Sequence, residues 1–266
     1  MTLVSLCWSL VLASIRGQMQ YRLNFLIELA FGLVFQSTGF VFIWIVLGQF
    51  DALGGWTLSE IALLYGMRLT AHGLWTVSFS RLFAIDQIVR QGEYDRLLLR
   101  PMPPMLQLMF SSFRIATLGD LLGGLIILGI AIANVAVEWT TAKVLLLFAS
   151  MIGGAMLDGA FQLGPAAMTF RFLETISLRI IFDNIFSNFG GYPVSIFERP
   201  TRFLLTYLVP MAFIAWAPST VLLERTDELP FPVAVAWASP LVGAVLLYVA
   251  FRIFQRESRR YQSAGS

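Results

Sequence analysis

The chain of 266 residues holds one cysteine, Cys7, one histidine, His72, and one lysine, Lys143. A lone cysteine closes no internal disulfide, so cysteine pairing says nothing about redox compartment. One cysteine and one distant histidine cannot supply the several ligands of a zinc or copper site. Lys143 follows Ala142, so the Gly-Lys-Ser/Thr end of a phosphate-binding loop is missing and no ATP binds by that route. Charge is also scarce, at 13% of residues against about 25% in soluble domains. The net charge of +2 is too mild to argue for nucleic acid.

What remains is apolar. Hydrophobic residues make up 58% of the chain and the mean hydropathy is +0.76. A soluble enzyme, a nucleic-acid-binding domain and a disordered tail are all excluded, because none could present a polar skin with this composition. A hydrocarbon slab about 30 Å thick takes about 20 apolar residues per helical crossing. The chain therefore reads as one all-α polytopic membrane domain over residues 1–266, with roughly six transmembrane helices.

Along the chain, residues 1–20 lack a basic region ahead of their apolar stretch and do not read as a signal peptide. Thr2, Ser5, Ser9, Arg16 and Gln20 share one narrow helical stripe, which predicts an interfacial helix anchored by Trp8 and Arg16. Crossings are expected at about 23–48, 57–80, 105–133, 143–167 and 231–254, with a short turn from Asp51 to Trp56 after the first. Residues 171–222, with Pro193, Pro200, Pro210 and Pro218, allow two readings. Either 172–192 crosses and 196–222 dips back as a re-entrant hairpin, or 172–200 stays in the cytoplasm and 202–223 crosses. Hydropathy slightly favours the second. Under the first reading, with Arg179 of the 172–192 span counted at its inner edge, twelve of the eighteen basic residues fall on inner segments and four on outer ones, with Arg68 and Arg114 inside other spans. That bias puts both termini in the cytoplasm.

Two groups of residues carry functional expectations. Residues 81–104 are the only sizeable polar loop, with Leu82, Ile85 and Val89 on one helical face, a break at Gly92, and Pro101, Pro103 and Pro104 ending it. A helix–Gly–helix of this kind suits docking of a soluble partner, and equally a solvated connector. Within the spans, Glu28, Arg68, His72, Arg114, Asp120 and Asp158 are costly against lipid and often mark pathways or proton relays. Of these, Arg68, His72 and Asp158 lie deepest; the others sit near predicted edges, where they snorkel or pair. Gly119-x-x-x-Gly123 reads as a close-packing site, chiefly within the chain. The basic tail from Arg252 to Arg260 suits anionic headgroups, or simply fixes the end of the last helix.

The run Ile88-x-x-x-Gly92-x-x-Asp95-x-x-Leu98-x-Arg100-Pro101, between the second and third spans, resembles the type-2 ATP-binding-cassette (ABC) exporter permeases, closest to their six-span branch. Tyr192-Pro193-x-Ser195-Ile196-Phe197 and Val209-Pro210-Met211-Ala212-Phe213-Ile214, followed by Pro218, are weaker matches. Tyr94 departs from the leucine many members carry. The resemblance implies an inner-membrane permease that forms a homo- or heterodimer with a second copy or a paralogue. It also implies docking on an ABC ATPase subunit dimer, which binds the ATP. Carried over residue by residue, it assigns the coupling contact to Ile88, Gly92, Asp95, Leu98, Arg100 and Pro101. It favours the re-entrant reading of 196–222, and no catalytic residue, metal or cofactor on this chain. The alternatives are a proton-coupled carrier using Arg68, His72 and Asp158, and a structural membrane scaffold. The 23 phenylalanines suit an apolar cargo as well as they suit lipid and packing, so they define no substrate.

Overall fold

The computed structural model describes residues 3–20, 22–47, 52–110, 116–172 and 174–262. Asp51, Arg114 and the side chain of Trp8 lie outside the described residues. Among those described, the chain is helical, with no strand beyond an isolated bridge between Leu53 and Trp56. The long helices are α1 (Leu3–Met19), α2 (Arg22–Leu47) and α3 (Leu58–Phe79). The polar loop then forms a 3-10 turn at Ser80–Ala84 and the short helices α4 (Ile85–Arg90) and α5 (Glu93–Leu98). The chain continues through α6 (Pro104–Phe110), α7 (Ala116–Asn134), α8 (Thr141–Phe172) and α9 (Ile176–Phe189). It closes with α10 (Arg199–Phe203), α11 (Trp216–Leu222), α12 (Val233–Trp237) and α13 (Ser239–Ser258).

Stretches of α2, α7 and α8 are long and apolar enough to cross a membrane by themselves. A fourth is added if α10 with its following π-helical turn and the helical segment ending in α11 are one span, but that pair is bent by 72°. The break falls at Val209-Pro210, where proline interrupts the backbone ladder. Helices α3 and α13 have the length but not the composition, because Glu60, Arg68 and His72 interrupt the one and arginines end the other. α9 has 14 residues, about 21 Å.

The bundle is built by α3 against α7 and α8, α2 against α7, and α13 against α8. Small residues permit the closest of these contacts. A methyl at Gly66, Gly73 or Gly124 would strike backbone of the facing helix in the α3–α7 pair. Gly119 abuts Gly32 of α2, so that glycine serves packing within the chain. The buried faces form two apolar clusters, one around Trp56, Leu64 and Trp216, the other around Ile85, Tyr94, Leu163 and Phe254.

Polar contacts divide the molecule into two ends. At one, Glu228 accepts from Trp56 Nε1 at 3.0 Å and from Ser195 Oγ at 2.6 Å, and Arg225 donates twice to Glu60 at 3.0 Å. Glu60 also accepts from the Thr57 backbone N–H at 2.7 Å, closing the first turn of α3 as a capping box does. Lys143, at the start of α8, pairs with Glu224 at 2.7 Å. The other end gathers the 80–104 segment, the C-termini of α8 and α13, and the start of α9. Helix α1 packs against α6 there, with Ser5, Ser9 and Arg16 exposed. Thirty-two residues make α8 about 48 Å long, against about 30 Å of hydrocarbon. Its last turns pack against α4, where Thr169 meets Asp86.

Candidate functional site

The 81–101 segment is a docked wedge with an outer ridge. Leu82, Ile85, Ile88 and Val89 recur at helical spacing, and all four are buried, as are Tyr94 and Leu97. Between α4 and α5, Gly92 takes φ +69°, and its N–H bonds the Val89 carbonyl at 3.2 Å. A side chain there would meet nothing closer than Asp95 Oδ2 at 3.9 Å. Glycine is needed for its left-handed backbone, not for room. Its carbonyl accepts from the Asp95 N–H at 3.2 Å, and Glu93 and Asp95 lie in the first turn of α5, where negative charge suits the helix N-terminus.

The six residues assigned to coupling therefore divide. Leu98, Arg100 and Pro101 are exposed on the ridge and Asp95 is half-buried beside it. Gly92 shapes the turn. Ile88, at 4% exposure, packs inward and cannot touch a soluble partner. Leu99, at 86%, is the most exposed large apolar side chain among the described residues, and sequence reasoning passed over it.

The wedge is held by groups that the sequence did not single out. Asp86 is buried; its Oδ1 accepts from Thr169 Oγ1 at 2.9 Å and from the Thr175 N–H and Oγ1 at 2.8 and 3.0 Å. Its other oxygen forms an ion pair with Arg179, whose guanidinium also donates to the Leu82 carbonyl. α4 is thus tied to the end of α8 and the start of α9. A faint signal existed, since Asp86 shares the apolar face with Leu82 and Val89, and Arg179 interrupts an apolar run. Gln107 Nε2 closes the proline-rich return by donating to the Leu97 and Met102 carbonyls, each at 2.7 Å.

Tyr94, where the sequence departs from leucine, also holds the wedge. Its ring is fully buried, edge-on to Phe170 and Tyr261, and its hydroxyl meets Ser258 Oγ at 2.5 Å. Burial pushes the phenol up from its usual range, so it stays neutral at working pH. Beside it Arg171 forks onto Glu257 at 2.5 and 3.0 Å, joining the ends of α8 and α13. That hydrogen bond holds the Glu257 carboxyl below the ordinary range, against desolvation acting the other way.

In the bundle, the three deep polar residues are all buried and lie near one another. His72 Nδ1 and Asp158 Oδ2 are 2.7 Å apart, linking α3 to α8. Arg68, one turn before His72, donates to Ser187 of α9 at 2.8 Å. Asp183, on α9, lies within electrostatic reach of His72, Asp158, Arg68 and Asp120. Glu28 is exposed near the start of α2 and is not part of this group. The cluster ties three helices by polar contacts where an isolated charge would be costly.

Compared with protein families, residues 33–265 match the model described as ABC-2 family transporter protein. Neither the comparison with curated proteins nor that with solved structures gives a match.

Proposed function

Because this chain belongs to the ABC-2 family of transporter proteins, we propose that it is the membrane-spanning permease subunit of an ATP-driven exporter. Membership makes it a permease component of an ABC transporter and an integral membrane protein. The finer reading is a homo- or heterodimer in the plasma (inner) membrane, with ATP hydrolysed on a separate ATPase subunit. The observation that carries it is the wedge of α4 and α5, buried on one side by Ile85, Ile88 and Tyr94 and presenting Leu98, Leu99 and Arg100 on the other. A ridge clamped to α8, α9 and α13 can pass movement from a docked ATPase into the bundle.

The same reading takes six crossings, at α2, α3, α6–α7, α8, α9 and α13, with both termini cytoplasmic and 196–222 re-entrant. The Ser195–Glu228 hydrogen bond supports the hairpin, because it joins the two ends of the stretch between them at one face of the bundle. Burial of every residue of α11 supports it too. Irregular backbone at membrane depth is tolerated where protein covers it. α9, tied to Asp86 at one end and leading to Ser195 at the other, is then the fifth crossing.

The test is co-purification with a P-loop ATPase co-expressed with the chain, followed by hydrolysis measured in liposomes. Binding and stimulated hydrolysis are expected, both lost when Leu99 and Arg100 are replaced by Asp and Glu. If the pair neither binds nor stimulates, the exporter reading fails. If the chain alone moves cargo along a proton gradient, the His72–Asp158 pair serves a carrier instead.

A further inference from the structure

Helix α13 ends in a concentration of positive charge that the transport reading leaves unused. Arg252, Arg256, Arg259 and Arg260 line a groove of about 1010 Å³, together with Tyr248, Val249 and Ile253. Glu257 is the single carboxylate in this stretch, and it is engaged by Arg171 and, at 3.8 Å, by Arg260. Arg252 donates to the Tyr248 hydroxyl at 2.8 Å. Among the described residues no carboxylate forms a close ion pair with Arg256 or Arg259, Glu257 feeling the charge of Arg256 only at longer range, and both arginines are exposed.

The groove continues along the helix as an apolar stripe. Leu241, Val245, Val249 and Ile253 recur every fourth residue and are all exposed. From the first to the last is about 18 Å of helix, close to the roughly 15 Å depth of one leaflet, half of the about 30 Å hydrocarbon. A single face thus offers one leaflet's depth of apolar surface ending in a cluster of guanidiniums. Guanidinium forks bind phosphate oxygens bidentately.

From this combination we infer that the C-terminal half of α13 is a binding site for an anionic phospholipid of the cytoplasmic leaflet. The acyl chains lie along the Leu241–Ile253 stripe and the phosphate sits among Arg252, Arg256 and Arg259. A soluble polyanion or a protein acid patch would use the arginines but has no use for a stripe that descends a full leaflet. The site adjoins the wedge, because Ser258 bonds Tyr94 and Glu257 bonds Arg171. Lipid bound there would brace the end of α13 against the segment that takes the partner. The inference rests on α13 being the last crossing with its C-terminus cytoplasmic, which cysteine labelling tests separately.

The experiment is native mass spectrometry of the purified chain in neutral detergent with equimolar phosphatidylglycerol and phosphatidylcholine. Each arginine near an anionic lipid surface is worth about fivefold in binding. Wild type should retain phosphatidylglycerol at least tenfold over phosphatidylcholine. R256Q/R259Q should bring the two near parity, and R256K/R259K should keep most of the preference, which separates lost charge from misfolding. V249W, which fills the stripe and leaves the cations in place, should lower retention of phosphatidylglycerol severalfold. Equal retention of both lipids by wild type overturns the site, as does an unchanged preference in R256Q/R259Q. If V249W alters self-association and not lipid retention, the stripe faces a second copy and the inference is wrong. It is equally wrong if R256Q/R259Q keeps its lipid and loses a co-expressed ATPase.

Discussion

Asp86 on α4 and Arg179 in the first turn of α9 meet as a buried ion pair, the charged centre of the joint between the α4–α5 wedge and the bundle. Asp86 has further partners in Thr169 and Thr175, and Arg179 has the Leu82 carbonyl. Neither side chain reaches the outer ridge, so their contribution is to position it.

Removing one partner of this pair leaves the other charged and buried. Asp86→Ala or Arg179→Ala should each destabilise by about 3–5 kcal/mol. The double replacement Asp86→Ala with Arg179→Ala should cost clearly less than the two single costs added, since neither charge is then stranded. Thermal unfolding in detergent measures this cycle. Additive costs would mean that the pair is not coupled.

The wedge residues should sort by burial. Ile88→Ala should lower stability by roughly 2–4 kcal/mol through a cavity. Leu99→Ala should leave the melting temperature within a degree or two and reduce ATPase co-purification. Gly92→Ala should cost about 1–2 kcal/mol through its left-handed backbone alone. Unfolding and pull-down run on the same three preparations check all of these. Loss of docking in Ile88→Ala without loss of stability would reverse the assignment.

Topology is read by single cysteines in a Cys7→Ser background. Ala52 and Glu198 should label with impermeant thiol reagents in intact cells, and Ser5 and, after α13, Gln262 should label only after permeabilisation. Labelling of Glu198 from the cytoplasm alone would make 202–223 a conventional crossing and remove the re-entrant hairpin.

The Arg171–Glu257 fork should appear in the acid limb of stability. The Glu257 carboxyl is held below its unfolded value, so its contribution is fully present above the ordinary glutamate range near pH 4.3. It is lost as pH falls through the lowered folded value. Arg171→Gln should flatten the drop in melting temperature below about pH 4.5 and change little at pH 7 in shape of the profile. An identical acid limb in both proteins would show that the fork does not shape the pH response.

His72 and Asp158 test the tie against the relay. Asp158→Leu leaves His72 Nδ1 without its partner and should cost about 1–3 kcal/mol, while Asp158→Asn keeps a hydrogen-bonding group in place. If the pair is a tie, Asp158→Asn should retain most ATP-driven transport. Its loss with stability intact would mean that the carboxylate itself moves a proton.

The sequence by itself determined the solvent and the class of fold. Composition demands lipid, the apolar runs place α2, α7 and α8, and the break at Gly92 follows from residue type, because these are local properties read one helix at a time. It also marked Arg68, His72 and Asp158 as deep, since charge inside an apolar run is conspicuous. Only the tertiary structure decided which polar groups meet. Asp86 and Arg179 lie far apart in the chain and each looks like an ordinary loop or helix charge until α4, α8 and α9 pack. Ile88 and Leu98 are both apolar residues of one motif, yet one is in the core and the other on the ridge. Sequence distinguishes residue types; which side of the wedge faces the bundle depends on contacts with α8 and α13 that close only when the helices assemble.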